Sequence, residues 1–361
     1  MSIIDIQQKL QSGMMRAAVY RGPSQISVEQ IPIPEIGDGE ILVRVYACGV
    51  CGTDLKKIEY GLVPPPRVFG HEMAGVVAKI GAGVVKFKVG DRVVAHHHTP
   101  CGKCFYCEKK LFSQCDFFRR TGTTAGFEPA GGGFAEFIRV MDWIVESGTV
   151  PIPDHISYEE ASFLEPLNTC VRALEKAELR SGETVAIYGQ GPVGLMLTQT
   201  AVVSGARVVG LDFLDARLDI ARELGASVVF NPLKDDVADG IAKITEGRGA
   251  DLTIVAAANP AAVEDAQRVT RRGGRVMLFA QTVPGEKIPV DVSAICMEEK
   301  KLVGSYSTSV ELNGKTAELV FSGKVNVARL ISHRLGLEQL IEGIRIALNP
   351  AADSLKVVIQ P

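Results

Sequence analysis

The chain is 361 residues long, with a formal net charge of −3, 46% hydrophobic and 22% charged residues, and 37 glycines and 18 prolines spread along it. That length favours two domains over a single core, and the composition is that of a soluble globular protein with no disordered tract. Lysines and arginines are scattered, and no apolar run approaches the about 20 residues that span a bilayer, so neither nucleic acid nor membrane is an expected partner.

In chain order, the opening stretch 1–13, MSIIDIQQKLQSG, has no basic start, and Asp5, Gln7, Gln8 and Lys9 interrupt its apolar residues. That argues against a secretory signal and for a cytoplasmic protein. From Met15 to about Val140, short alternating segments broken by Gly and Pro (MRAAVY, ISVEQIPIP, EILVRVYACGV, EMAGVVAKIG, DRVVAHH, FAEFIRV) predict an antiparallel barrel or sandwich. From about Leu167 the rhythm changes to strand and helix in alternation. Strands are expected at Thr184–Gly189, Arg207–Asp212, Ser227–Asn231, Asp251–Ala257, Arg275–Ala280 and Leu302–Ser307. They are near-continuous in Val, Ile and Ala, as in a doubly wound parallel sheet covered on both faces. The tail predicts an amphipathic helix, LEQLIEGIRIAL, stopped before Asn349-Pro350, and a terminal strand, KVVIQP, that packs back on the first domain.

Four of the eight cysteines, Cys101, Cys104, Cys107 and Cys115, form a C-x2-C-x2-C-x7-C cluster in a loop with few apolar neighbours. Four thiolates fill a tetrahedral zinc shell and leave no position for water or substrate, so the spacing predicts a structural zinc in place of disulfides. Iron–sulfur clusters use other spacings.

The segment VAIYGQGPVGLM places Gly189, Gly191 and Gly194, with Pro192 and Val193 between them, after a buried strand and at the start of a helix. Such glycines allow a tight turn and close backbone approach to a pyrophosphate, which the helix N-terminus attracts. Asp212, 23 positions after Gly189, ends the next strand, where a carboxylate accepts from ribose hydroxyls and repels a 2′-phosphate. NAD is the expected cofactor. Arg217, five residues on, keeps NADP open.

A third group is dispersed: Cys51-Gly52-Thr53-Asp54, then Gly70-His71-Glu72, then Glu165. Cysteine, histidine and carboxylate are zinc-ligand types, but their separation defines no site by spacing alone. The run His96-His97-His98 reads as solvent-facing or hydrogen-bonded histidines, Cys170 as a buried small residue, and His155 and His333 as loop or strand-edge residues without a visible partner.

With the glycine fingerprint, the four-cysteine lobe, CGTD and GHE in one order, the sequence resembles the zinc-containing medium-chain dehydrogenase/reductase family over nearly its whole length. The segment FLEPLNTCVRALEKA is similar to the sorbitol (L-iditol) and threonine dehydrogenase branch, with Glu165 where other branches carry a further ligand. The resemblance implies an α/β plus β fold. Residues 1–166 and 308–361 would form a GroES-like β-barrel catalytic domain, with the structural zinc lobe at about 96–118, and residues 167–307 a Rossmann NAD-binding domain. The active-site cleft would lie between them.

Carried over residue by residue, the resemblance makes Cys51 and His71 ligands of a catalytic zinc, with Glu72 and Glu165 either ligating or holding the zinc-bound water. Asp54 would orient the ligand histidine, and Thr53 would bond the substrate hydroxyl. The implied reaction is NAD-linked oxidation of a secondary alcohol of a polyol or cyclitol to the ketone, in a homodimer or homotetramer. L-Threonine 3-dehydrogenase is the alternative enzyme, and a metal-depleted nucleotide-binding homologue the non-enzymatic one. Two positions depart from the family: Lys56 stands where many relatives end a proton relay in histidine, and Ser307 stands near where sorbitol dehydrogenases carry an arginine. Gly304-Ser305-Tyr306-Ser307 looks more like bacterial dehydrogenases of varied polyols and cyclitols, with Tyr306 and Ser307 as donors to substrate hydroxyls.

Overall fold

The computed structural model describes residues 3–120, 122–127, 131–282 and 285–361. The chain divides into two compact units, one of Met1–Pro166, Thr308–Ser322 and Val327–Pro361, the other of Leu167–Ser307 and Gly323–Asn326. Of the opening stretch, Met1 and Ser2 lie outside the described residues. Ile3–Gln11 forms a helix that buries Ile6, and Lys9 pairs with the buried Glu136.

In the first unit the longest strands are Met14–Gly22, Ile41–Gly49 and Glu72–Ile80. Ile41–Gly49 is buried along almost its whole length because it pairs antiparallel with Glu72–Ile80 on one side and with Phe137–Val140 and Lys356–Gln360 on the other. The tail does return to this unit: Lys356–Gln360 is also parallel to Ile331–Gly336, after the helix Leu340–Leu348. The register sets Gly49 opposite Glu72 on one neighbour and Val358 on the other. Valines, isoleucines and phenylalanines such as Val43, Val77, Phe137 and Ile359 fill the interior between these strands.

The second unit carries a six-stranded parallel sheet in the order Val228–Phe230, Arg207–Leu211, Thr184–Tyr188, Ala250–Val255, Thr270–Leu278, Lys301–Gly304. The first two βαβ crossovers run one way from Thr184–Tyr188 and the rest the other, the doubly wound order that leaves a crevice at the carboxyl ends of the strands. Observed strands are shorter at those ends than the sequence patterns predict. Gly189 and Asp212 lie just beyond their strands, and the last strand stops at Gly304; Ser307, three residues on, adopts a left-handed φ of 62°, which no strand accommodates.

Candidate functional site

Cys51 follows the central strand Ile41–Gly49 and precedes the helix Gly52–Glu59. That helix turns Asp54 inward, where it is fully buried, and leaves Thr53 exposed at its first turn. Asp54 Oδ1 lies 3.1 Å from His71 Nδ1, which fixes the ring and directs Nε2 to other partners. His71 precedes the strand Glu72–Ile80, and Glu165 sits in the first turn of the helix Leu164–Lys176. Folding brings these segments to one place. One donor atom each from Cys51, His71 and Glu72 lies within 4.8 Å of the others, and the same holds for His71, His97 and Glu165.

The two glutamates differ in their surroundings. Glu72 forms a buried ion pair with Lys356 of the terminal strand. A side chain at position 49 would not allow it: a Cβ on Gly49 would stand 2.0 Å from Glu72 Oε2 and 2.7 Å from Lys356 Cε. Burial opposes the charge on Lys356, but Glu72 and Cys51 outweigh it and raise its pKa. Among the described residues, no lysine or arginine forms an ion pair with Glu165. Burial pushes it up to about 7, His71 and Lys356 oppose that rise, and the Glu72 and Asp54 carboxylates add to it. For His71, burial is again outweighed, by Asp54 and Cys51, which raise its pKa well above the usual imidazole value. A cation among Cys51, His71 and the glutamates would take the place of that proton, so the mixed sulfur, nitrogen and oxygen donors fit a divalent ion.

The histidine run corrects the sequence reading. His96 is buried with both ring nitrogens unpartnered, and His97 and His98 are mostly covered. Burial holds His96 at about 4 and His98 at about 3, and with His98 and His71 it lowers His97 well below the usual range. The His97 ring packs, tilted by 41° to each, against His71, 4.6 Å away, and His98, 4.0 Å away. Lys356 was equally hidden in the sequence, because nothing in KVVIQP announces that its lysine reaches a site more than 280 residues earlier. His155 and His333 are not without partners: His155 Nε2 lies 3.2 Å from the Phe321 carbonyl, and His333 Nδ1 lies 2.8 Å from Ser332 Oγ. Cys170 is buried. Lys56 is half-buried in the last turn of its helix.

The four lobe cysteines stand apart from this group in character. The Sγ atoms of Cys101 and Cys107 are 3.9 Å apart, those of Cys104 and Cys107 3.6 Å, and those of Cys115 and Cys101 3.5 Å. A tetrahedral zinc with bonds of about 2.3 Å separates its sulfurs by about 3.8 Å. A backbone amide at Lys103 leads in lowering Cys101 to about 7, while burial leads in pushing Cys107 up to about 12. Phe118 packs on Cys107 and Cys115 in an otherwise small lobe core.

In the second unit, Gly189 and Gly191 lead into the helix Pro192–Val203, whose first position is Pro192. A Cβ on Gly194 would stand 1.7 Å from the Gly189 carbonyl, so only glycine lets the helix start this close to the turn. Asp212 accepts from the backbone amides of Gln190 at 2.7 Å and Leu214 at 2.9 Å, and Arg217 Nη1 lies 3.9 Å from its carboxylate. Beside it, Phe213 opens on a cavity of about 580 Å³ that Tyr188, Pro232, Asn259 and Arg268 also line. The carbonyls of Tyr306 and Ser307 accept from Arg172.

Two family models match the chain, the alcohol dehydrogenase GroES-like domain at residues 37–154 and the zinc-binding dehydrogenase domain at residues 192–321. The sorbitol dehydrogenase of Bacillus subtilis is 34% identical over 96% of this chain and 97% of its own length. The D-arabitol-phosphate dehydrogenase of Enterococcus avium is 32% identical over 94% and 95%. Among solved structures, a zinc-binding dehydrogenase from Sinorhizobium meliloti bound to NADP superposes with a TM-score of 0.87 at 31% identity, covering 96% of this chain and 99% of that one. Among the described residues, no helix is long and apolar enough to cross a membrane. Similarity of this length, spanning both units, makes the chain a member of the zinc-containing medium-chain dehydrogenase/reductase family and, on its sorbitol dehydrogenase-like branch, a zinc polyol dehydrogenase.

Proposed function

We propose that this enzyme oxidises a secondary alcohol of a polyol or cyclitol to the ketone and reduces NAD. The observation that carries the reading is the convergence of Cys51, His71 and Glu72 on one point, with His71 held by buried Asp54. Cys51, His71 and Glu72 would hold the catalytic zinc, Glu165 would lie beside it, and Cys101, Cys104, Cys107 and Cys115 would hold the structural one. When bound, zinc supplies Lewis acidity toward an alcohol oxygen and NAD supplies the hydride acceptor.

The chain's own residues do the rest. Asp54 keeps the His71 proton on Nδ1, so that Nε2 presents its lone pair. Thr53 Oγ1 would accept a hydrogen bond from the substrate hydroxyl and, exposed at the start of its helix, pass its own hydroxyl proton to water as the substrate's proton arrives. The loop Gly189–Gly194 would receive the pyrophosphate on backbone amides such as those of Gly191, Val193 and Gly194, Pro192 having no N–H to offer but starting the helix, and Asp212 would accept from the ribose hydroxyls. Each Asp212 oxygen already takes one backbone amide and has a further lone pair to offer. The Sinorhizobium relative binds NADP; here the Asp212 carboxylate would repel a 2′-phosphate and occupies Arg217, which favours NAD. Residues 1–166 and 308–361 would be the catalytic domain and 167–307 the NAD-binding domain. Two copies would pair along the edge strand Lys301–Gly304, where Leu302 is exposed. Eight free cysteines suit a reducing, cytoplasmic setting.

The test is NAD reduction over a panel of sorbitol, xylitol, inositols, aminocyclitols and threonine, with and without a chelator. Turnover of a polyol or cyclitol that the chelator abolishes supports the reading. Activity confined to threonine, a preference for NADP, or indifference to the chelator contradicts it.

A further inference from the structure

We propose that His71, His97 and Glu165 form a second seat for the divalent ion of this site, one that contains no sulfur. The inference rests on the reading above that His71 binds a metal together with Cys51.

The three side chains come from separate segments: the residue before the strand Glu72–Ile80, the turn after the strand Arg92–Ala95, and the first turn of the helix Leu164–Lys176. Their donor atoms nevertheless lie within 4.8 Å of one another. His97 Nδ1 is buried without a hydrogen-bond partner, 3.9 Å from Glu165 Oε1. That separation is too long for a hydrogen bond and close to the about 3.4 Å between nitrogen and oxygen donors on a tetrahedral ion with bonds of about 2.1 Å. An ion between them satisfies an imidazole nitrogen that the fold otherwise leaves stranded away from water.

His71 supplies the coupling between the seats. Its Nδ1 is engaged by Asp54, so only Nε2 remains for a metal, and both donor sets require it. The seats therefore exclude each other and hold a single ion in either of two positions. One seat offers thiolate, imidazole and carboxylate, the other two imidazoles and a carboxylate; first-row divalent ions such as zinc and cobalt accept both. The second seat is braced from behind. His97 packs at a tilt against His98, and the His98 ring lies 5.1 Å from Phe118, which packs on Cys107 and Cys115 of the lobe. A group that only filled space at position 97 would need neither the buried nitrogen nor its aim at Glu165. The chain consequently retains an ion here when the Cys51 thiolate is removed.

The experiment uses the full-length protein with zinc kept in the four-cysteine lobe and cobalt(II) offered to the remaining site. Metal per chain, cobalt affinity and the absorption spectrum are recorded for wild type, Cys51→Ala, His97→Ala and the double variant. We expect Cys51→Ala to bind one cobalt beyond the lobe ion, to lose the thiolate-to-cobalt charge-transfer band, and to keep visible bands of a nitrogen and oxygen site. The double variant should bind cobalt at least about tenfold more weakly than Cys51→Ala. If Cys51→Ala holds only the lobe ion, or if the double variant binds cobalt as tightly as Cys51→Ala, the second seat is overturned while the proposed function stands. A wild type with no ion beyond the lobe overturns both. Should Cys51→Ala lose its lobe zinc and fold poorly, alkylation of Cys51 in folded wild type makes the same comparison: loss of the charge-transfer band with cobalt retained is expected, and loss of both overturns the seat.

Discussion

The four-cysteine lobe and the Cys51 site both gather metal donors, and they do so by opposite routes. In the lobe the donors fall between positions 101 and 115, all are thiols, and their spacings of 3.5 to 3.9 Å already suit one tetrahedral ion. At the other site Cys51, His71, Glu72, His97 and Glu165 arrive from strand and helix ends spread over more than a hundred residues, and sulfur, nitrogen and oxygen are mixed. A local chelate closes its shell and stabilises chain that has little core of its own. The assembled site offers more donors than a single ion needs around it, and strand and helix ends deliver them. On the function proposed above, the difference separates a metal that holds structure from one that does chemistry.

Exchanging one ligand in each region breaks the comparison most sharply. Cys51→Ser should lower kcat/KM for the best alcohol by about 10³-fold, since it weakens the hold on the Lewis acid, while the melting temperature stays within a few degrees. Cys107→Ser should do the reverse in kind, costing about 3 kcal/mol or more of stability as the lobe loses its ion. Differential scanning calorimetry and steady-state kinetics on both variants check this; equal thermal losses would erase the distinction.

Asp212→Gly acts on the other unit. Removing the carboxylate frees Arg217 for a 2′-phosphate, and the ratio of kcat/KM with NADP to that with NAD should rise by about 10²-fold. An unmoved ratio would mean that Asp212 does not face the ribose. Asp54→Asn keeps the shape and removes the charge behind His71, and should reduce metal affinity or activity by about 10- to 100-fold, read by zinc competition with a chromophoric chelator.

The smallest effect belongs to neither metal region. Burial opposes the charge of Glu136, but the Arg16 amide and Lys9 outweigh it and hold its pKa below the ordinary 4.5. A folded pKa below the unfolded one contributes stability that is fully present above pH 4.5 and lost as pH falls through the folded value. Glu136→Gln should therefore cost about 1–3 kcal/mol at neutral pH, and the gap between variant and wild type in urea unfolding should close as pH falls through the lowered folded value. A gap that persists in acid would assign the loss to packing.

The same contrast explains what was legible in the amino-acid sequence. The lobe could be read from Cys101, Cys104, Cys107 and Cys115 alone, because a chelate of near neighbours is written in its spacing. The glycine turn was equally plain, since the close approach of Gly194 to the Gly189 carbonyl excludes every side chain. Alternating and continuous apolar segments announced the antiparallel strands of the first unit and the parallel sheet of the second, and the misses were at strand ends, where Ser307 turns left-handed and Asp212 already belongs to the loop. For the dispersed site, Cys51, His71, Glu72 and Glu165 were picked out by resemblance, and their meeting depends on strand register that no local pattern encodes. His97 and Lys356 were missed for that reason. A histidine run reads as polar surface, and only the packing of His97 against His71 shows that the chain turns it inward. A lysine in a terminal strand reads as an edge residue, and only the pairing of Val358 with Gly49 carries it to Glu72.

The central claim, that one ion is structural and the other supports alcohol oxidation, is tested most directly by timed removal of metal. Zinc per chain and NAD reduction on a responsive polyol are measured on the same samples during mild chelation. The account predicts two zinc ions per chain at the start, loss of activity in step with the first ion released, recovery on adding zinc back, and melting only when the second ion leaves. Activity that survives release of the first ion, or a single zinc per chain in the fully active enzyme, would contradict it.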